Sequence, residues 1–250
     1  MKKANDLRND SIRSLVIKLA IPSMIAQLVN VLYSIIDRMY IGNIPDVGDI
    51  ALAGAGVCGP IVTLLSSFAT LIGLGGSIVM SMRLGEKKKK EAEQILSNSF
   101  LLLVIFSFSL TIIFLLIKDF LLIQFGASQI TFPYANTYMT IYTLGTFFAL
   151  LSIGLNYFIT CQGFSLISMT TVLVGAVTNI ILDYVFIFVF HTGIAGAAWA
   201  TVIAQMLSCT FAVCFLFGKQ VPIRITFGNY SFSIMKKILY IGLCPFIILA

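Results

Sequence analysis

With 250 residues, 59% of them hydrophobic and only 10% charged, and a mean hydropathy of +1.01, the chain carries more apolar surface than a soluble domain can bury. Its formal charge of +6 sits in the gaps between apolar runs, which argues for membrane topology and against a nucleic-acid partner. The Leu/Ile/Phe runs do not alternate as barrel strands do, and several reach the about 20 residues that a spanning helix needs. These features leave an all-α polytopic membrane protein as the fold class.

The first element in chain order is a basic segment over 1–13, too long and too polar for a cleavable signal peptide and expected in the cytoplasm. A six-helix transmembrane unit is expected over 14–217, with spans near 14–41, 50–82, 94–117, 131–161, 165–190 and 194–217. A cytoplasmic connection over 218–232 then leads to a seventh span covering 233–250. The second and fourth runs exceed a minimal span, an excess that tilt, or a kink at Pro60 in the second, would absorb. Pro22 removes a backbone N–H early in the first span and predicts a bend there. Gly73, Gly75, Gly76 and the small run 193–198 read as positions of close helix packing. Cys58, Cys161, Cys209, Cys214 and Cys244 form no CxxC or Cys/His cluster and read as small apolar residues.

Orientation follows from the basic residues. Lys2, Lys3, Arg8, Arg13 and Lys18 open the first span. Arg83 and the lysine run 87–90 fill the 2–3 connection, and Lys219, Arg224, Lys236 and Lys237 the 6–7 connection. Only Arg38 and Lys118 fall opposite, so the N-terminus and the 2–3, 4–5 and 6–7 connections are assigned to the cytoplasm.

Topology does not explain the polar residues in and near the segments 175–190 and 194–205, which the turn His191-Thr192-Gly193 joins. Asp183 is flanked by apolar residues, and Asn179 lies one turn earlier on the same helix face. Thr201 is about as far past the turn as Asp183 is before it, so the two reach similar depth. Asp37 lies close to the outer end of the first span. An unpaired charge in lipid costs about 2.5–3.5 kcal/mol or more, so Asp183 should face the bundle interior, have a partner and have a use. Asp37, Asn179, Asp183 and Thr201 then share one outer-half cavity of hard oxygen donors, suited to Na+ or a proton. For Asp37, an interfacial role beside Arg38 competes with this reading. A hydrolase pairing of Ser77 with His191 fails on depth, since the sole histidine lies in an outer turn and Ser77 near the cytoplasmic end of its helix. No catalytic residue is assigned, and no cofactor is expected besides the coupling ion.

The residues 179–183 (NIILD) with 193–205 (GIAGAAWATVIAQ), and Pro22 with 34–42 (SIIDRMYIG) leading to 51–56 (ALAGAG), resemble MATE transporters. This is the multidrug and toxic compound extrusion family of cation-coupled antiporters, and the Asp-Arg form with the loop 42–45 looks like its MepA-like bacterial branch. The resemblance implies twelve helices in two six-helix lobes, of which this chain matches the N-terminal lobe and the opening of helix 7. The interval from Arg13 to Pro22 recurs from Lys236 to Pro245, as in parallel-repeat transporters. The chain is therefore expected to be a piece of a longer protein, with the missing C-terminal lobe as its partner.

By the same resemblance, Asp37, Asn179, Asp183 and Thr201 correspond to the family's N-lobe cation site, for H+ or Na+, and Pro22 to the helix-1 bend of some members. Met24, Tyr33, Tyr138 and Phe158 are expected cavity walls, with ordinary packing or lipid contact as the alternative. Tyr184 stands where many members have proline, and the turn 161–165 lacks a basic residue often found there. The implied function is cation-driven export of amphipathic, often cationic, drugs and toxic small molecules by alternating access, as a multi-pass protein among the lipids of the bacterial plasma membrane. Two other readings are a lipid-linked oligosaccharide flippase, which usually needs several basic residues in the membrane, and a substrate-binding membrane subunit of an ATP-driven transporter, which leaves a seventh helix unexplained.

Overall fold

The computed structural model describes residues 12–249, so the expected N-terminal segment falls outside the described residues up to position 11. The described residues form α1 (Ile12–Gly42), α2 (Gly48–Gly85), α3 (Lys89–Gln124), α4 (Phe132–Leu144), α5 (Thr146–Cys161), α6 (Ser165–Tyr184), α7 (Gly193–Phe217) and α8 (Phe232–Leu249). Six of these are long and apolar enough to cross a membrane, and α4 with α5, bent by 57°, makes a seventh candidate span. The turns alternate between two ends of the bundle. Residues 43–47, 125–131 and 190–192 lie at the Gly42 end, and 86–88, 162–164 and the connector 218–231 at the other.

The second run is one unbroken helix through Pro60. The fourth breaks at Gly145 instead, where the missing side chain admits Val202 of α7 against the backbone, and a Cβ there would overlap the valine. The first span likewise stays helical through Pro22. Proline at that position withholds the N–H that would bond the Lys18 carbonyl. Ser165, at the start of α6, donates its hydroxyl to that carbonyl at 3.1 Å, so the proline's lost bond becomes a tie between α1 and α6. Ser165→Ala is expected to cost about 1 kcal/mol, typical of one hydrogen bond. Faster deuterium uptake confined to the first turns of α1 and α6 would report it.

α2 is the central post, packing against α3, α4, α5 and α8. Without a hydrophobic drive between helices in lipid, close backbone approach supplies the packing energy, and small residues permit it. At Gly73 an added Cβ would stand 2.7 Å from the Gly154 carbonyl oxygen of α5. At Gly75 it would stand 2.8 Å from the backbone nitrogen of Gly242 in α8. Two apolar clusters are stacked along the axis. One joins Ile41, Ile61, Leu65, Leu122 and Met139 toward the Gly42 end, and the other Ile72, Met80, Leu96, Leu103, Leu155 and Phe158 toward the connector end.

The connector is extended and alternates like an edge strand, with Val221, Ile223 and Ile225 buried and Pro222, Arg224 and Thr226 exposed. Side chains of the bundle take its backbone bonds. The Ile223 N–H donates to Gln162 Oε1 at 3.0 Å, the Ser231 N–H to Asn98 Oδ1 at 2.9 Å, and Gln94 Nε2 donates to the Asn229 carbonyl at 2.8 Å. At the 2–3 turn, Arg83 meets Glu86 at 2.6 Å and Glu91 at 3.0 Å, with Lys88 also on Glu86 at 3.1 Å. The hydrogen bond from Arg83, then that from Lys88, holds the Glu86 carboxyl below its ordinary range.

Candidate cation site

Asp183 sits on the last turn of α6 and is fully buried, at 0% exposure, with Asn179 at 2% one turn below it. The helix continues past Tyr184 as a π-helical turn over Val185–Val189, in which the Phe190 N–H reaches back to the Val185 carbonyl at 2.9 Å. The chain thus takes a widened turn next to Asp183 where a proline would have broken the helix. Thr192 closes the turn by donating both its N–H, at 3.0 Å, and its hydroxyl, at 2.6 Å, to the Phe186 carbonyl.

From α7, Thr201 accepts a hydrogen bond from Asn179 Nδ2 at 3.3 Å and donates to the Ala197 carbonyl at 3.0 Å. From α1, Asp37 points inward while its neighbour Arg38 is exposed and reaches over Gly59 of α2. The Asp37 and Asp183 carboxyl groups lie close enough to interact electrostatically. As carboxylates both are acceptors only, so neither satisfies the other. Among the described residues no donor reaches Asp37 Oδ1, Asn179 Oδ1, or either oxygen of Asp183. Four electron-rich oxygens from α1 and α6 are therefore buried together without a donor, beside a threonine hydroxyl of α7. Burying such groups costs several kcal/mol each unless something positive joins them.

The structure brings Asp37, Asn179, Asp183 and Thr201 into one cluster. Tyr33, one turn below Asp37, lies within electrostatic range of both acids, and Tyr138 of α4 places its hydroxyl beside Thr201 and near Asp37. These tyrosines flank the acids more closely than expected for mere cavity walls. Of the four expected wall residues, Tyr33 lines the cavity below the acids, and Tyr138, Phe158 and Met24 do not. Phe158 is fully buried in the packing between α5 and α2, against Gly76. Met24 is 70% exposed.

That cavity, of about 460 Å3, lies between α1, α5, α6 and α7, directly below the Asn179–Thr201 bond. Its walls are four polar stripes at helical spacing: Ser23, Gln27 and Asn30 on α1; Ser152, Asn156 and Thr160 on α5; Ser168, Gly175 and Asn179 on α6; Thr201, Gln205 and Ser208 on α7. The α5 stripe was not anticipated, although a period of four among otherwise apolar residues is visible in its sequence.

Bundle and buried acids together define a polytopic membrane protein with an ionisable intramembrane site, the pattern of a transport protein. The MatE family model matches residues 22–185. The multidrug export protein MepA of Staphylococcus haemolyticus (strain JCSC1435) is 28% identical over 230 residues, covering 91% of this chain and 50% of that protein. MepA of Staphylococcus saprophyticus subsp. saprophyticus is 26% identical over the same length, covering 91% and 51%. Among solved structures, the outward-facing conformation of a multidrug resistance MATE family transporter of the MOP superfamily superposes with a TM-score of 0.90. It is 26% identical and covers 99% of this chain and 55% of that one. MATE in the bent conformation gives 0.86 at 27% identity, over 94% and 52%. The chain belongs to the MatE family and corresponds to its N-terminal, MepA-like lobe. It spans about half the length of the curated relatives it matches.

Proposed function

We propose that this lobe couples inward movement of a small cation, H+ or Na+, to export of amphipathic, often cationic, small molecules by alternating access. The observation that carries the reading is the group of four donor-free buried oxygens at Asp37, Asn179 and Asp183. A cation at that point relieves the repulsion between two desolvated carboxylates and draws α1 and α6 together. Its departure lets them separate. Only the difference in cation affinity between two arrangements of α1 can shift their populations, and the acid pair spans the joint that would move. An anionic-headgroup flippase is disfavoured because the charged groups inside the bundle are acidic, while Arg38 is exposed.

The test is efflux of a fluorescent cationic dye from cells expressing the protein, with proton and sodium gradients varied independently. Collapse of one gradient should stop efflux and name the ion. Efflux indifferent to both gradients overturns the coupling. Pro22→Ala returns an N–H to the Lys18 carbonyl in competition with Ser165, and is expected to reduce efflux severalfold at normal expression. Wild-type efflux would remove the proline from the mechanism. The inward direction requires the connector end to be cytoplasmic. Reporters fused after Lys90 and after Lys219 should read cytoplasmic and one near Ser128 external, and the reverse pattern would invert the cycle.

A further inference from the structure

The connector divides into two parts that are held in different ways. Residues 221–227 are anchored. Ile223 and Ile225 lie in the connector-end apolar cluster, and the Thr226 N–H donates to Ser97 Oγ at 3.3 Å. The Phe227 ring rests on Phe217 and Phe100, with centroids 5.8 and 6.4 Å away. Residues 228–231 bury no apolar side chain. Gly228 and Asn229 take successive left-handed φ values of +108° and +56°, a turn that glycine and asparagine adopt more readily than other residues. Beyond that turn the chain is clasped by two amides of α3. Asn98, fully buried, pairs as a peptide group would: its Oδ1 accepts from the Ser231 N–H at 2.9 Å and its Nδ2 donates to the Asn229 carbonyl at 3.4 Å. Gln94 Nε2 donates to the same carbonyl at 2.8 Å. The Ser231 carbonyl in turn accepts the Met235 N–H of α8 at 3.1 Å, so the clasp grips the root of α8. About 16 Å further along α8, at about 1.5 Å per residue, Gly242 abuts the Leu71 carbonyl of α2.

We propose that residues 228–231 form a latch at the connector end. Gln94 and Asn98 hold the root of α8 beside α3, and releasing their bonds lets α8 part from α2 while residues 221–227 stay on the bundle. The proposal rests on the alternating-access reading above, which needs two arrangements of the helices. Opening the latch uncovers no apolar side chain and exchanges its hydrogen bonds for bonds to water, a small net change. Asn98 Nδ2 keeps its bond to the Gln94 carbonyl, at 2.7 Å within α3, whether or not the connector end is in place. The anchored part has no such exchange to make, because leaving the bundle would expose Ile223 and Ile225 to water. The turn at Gly228 and Asn229 lies between the two parts, where a change of backbone direction is cheapest.

The experiment places nitroxide pairs in the protein in nanodiscs, in a background with Cys161, Cys214 and Cys244 changed to Ser. Lys90→Cys with Lys237→Cys spans the latch, and Lys90→Cys with Lys219→Cys spans the anchored part; all three lysines are exposed. Pulsed dipolar distances across the latch should gain a longer component that grows about 5-fold in Asn98→Ala, as the loss of one hydrogen bond predicts. Gln94→Ala, at a half-buried position that tolerates truncation, should do the same, and the Lys90–Lys219 distances should stay as they are. A cleavable bifunctional thiol reagent joining Gln94→Cys to Tyr230→Cys should stop dye efflux, and reduction should restore it. Latch distances unchanged in both variants, equal broadening of the Lys90–Lys219 pair, or full efflux by the cross-linked protein would each overturn the latch. The distances do not depend on export, so efflux by the unlinked parent under the two gradients judges the alternating-access reading separately.

Discussion

Asp183→Asn should abolish gradient-driven dye efflux while leaving the protein folded and in the membrane. Asparagine keeps the size of the side chain and its capacity for hydrogen bonds but removes the titratable charge. Two unit charges about 4 Å apart repel by about 4 kcal/mol at an effective dielectric near 20, so removing one should leave thermal stability in detergent unchanged or raised. Asp37→Asn should behave alike. The double variant should be little worse than either single one, because two groups that act as one site do not add. An isolated structural aspartate predicts the opposite on both counts: efflux near normal and melting temperature lowered, as a satisfied hydrogen bond is lost. Efflux by Asp183→Asn at more than a small fraction of the parent rate would sink the shared site.

How far the sequence could lead is clearest on α6 and α7. Asp183 was conspicuous because lipid penalises a lone charge, and Asn179 and Thr201 followed from helical spacing and matched depth alone. Asp37 was harder. Arg38 next to it left an interfacial role as a competing reading, and only the fold turns one side chain inward and its neighbour out over Gly59. Tyr33 and Tyr138 were read only as cavity walls, because nothing local places α4 beside the acids. Pro22 and Pro60 both sit in unbroken helix, and the break in the fourth run lies at Gly145, where Val202 of α7 packs against the backbone. Such a wedge is a tertiary event without a local signature. The polar stripe Ser152, Asn156, Thr160 had a signature, but only as a periodicity of small polar residues, which hydropathy averages away.

Gly242→Ala should be among the most damaging single-methyl changes in the chain. A Cβ at this position would run into the backbone carbonyl of Leu71, and its counterpart at Gly75 would run into the backbone of Gly242. Neither obstacle is a side chain that can rotate away, so α2 and α8 must separate along their contact. Overpacking of this kind costs about 1–3 kcal/mol, at the upper end where backbone opposes backbone. The separation also loosens Ile238, which is fully buried where α8 meets the connector-end apolar cluster. Gly56→Ala is the matched control, since its Cβ would meet nothing within 4 Å. Helix propensity favours alanine at both sites by about 1 kcal/mol, so the control should be neutral or stabilised. The difference in melting temperature between the two variants then isolates the close approach. A disulfide formed between cysteines at Leu71 and Ile241 in the parent, and lost on adding Gly242→Ala, would report the same separation directly. Equal stability of the two variants would mean that the α2–α8 seam is loose, and that α8 is not held against this lobe.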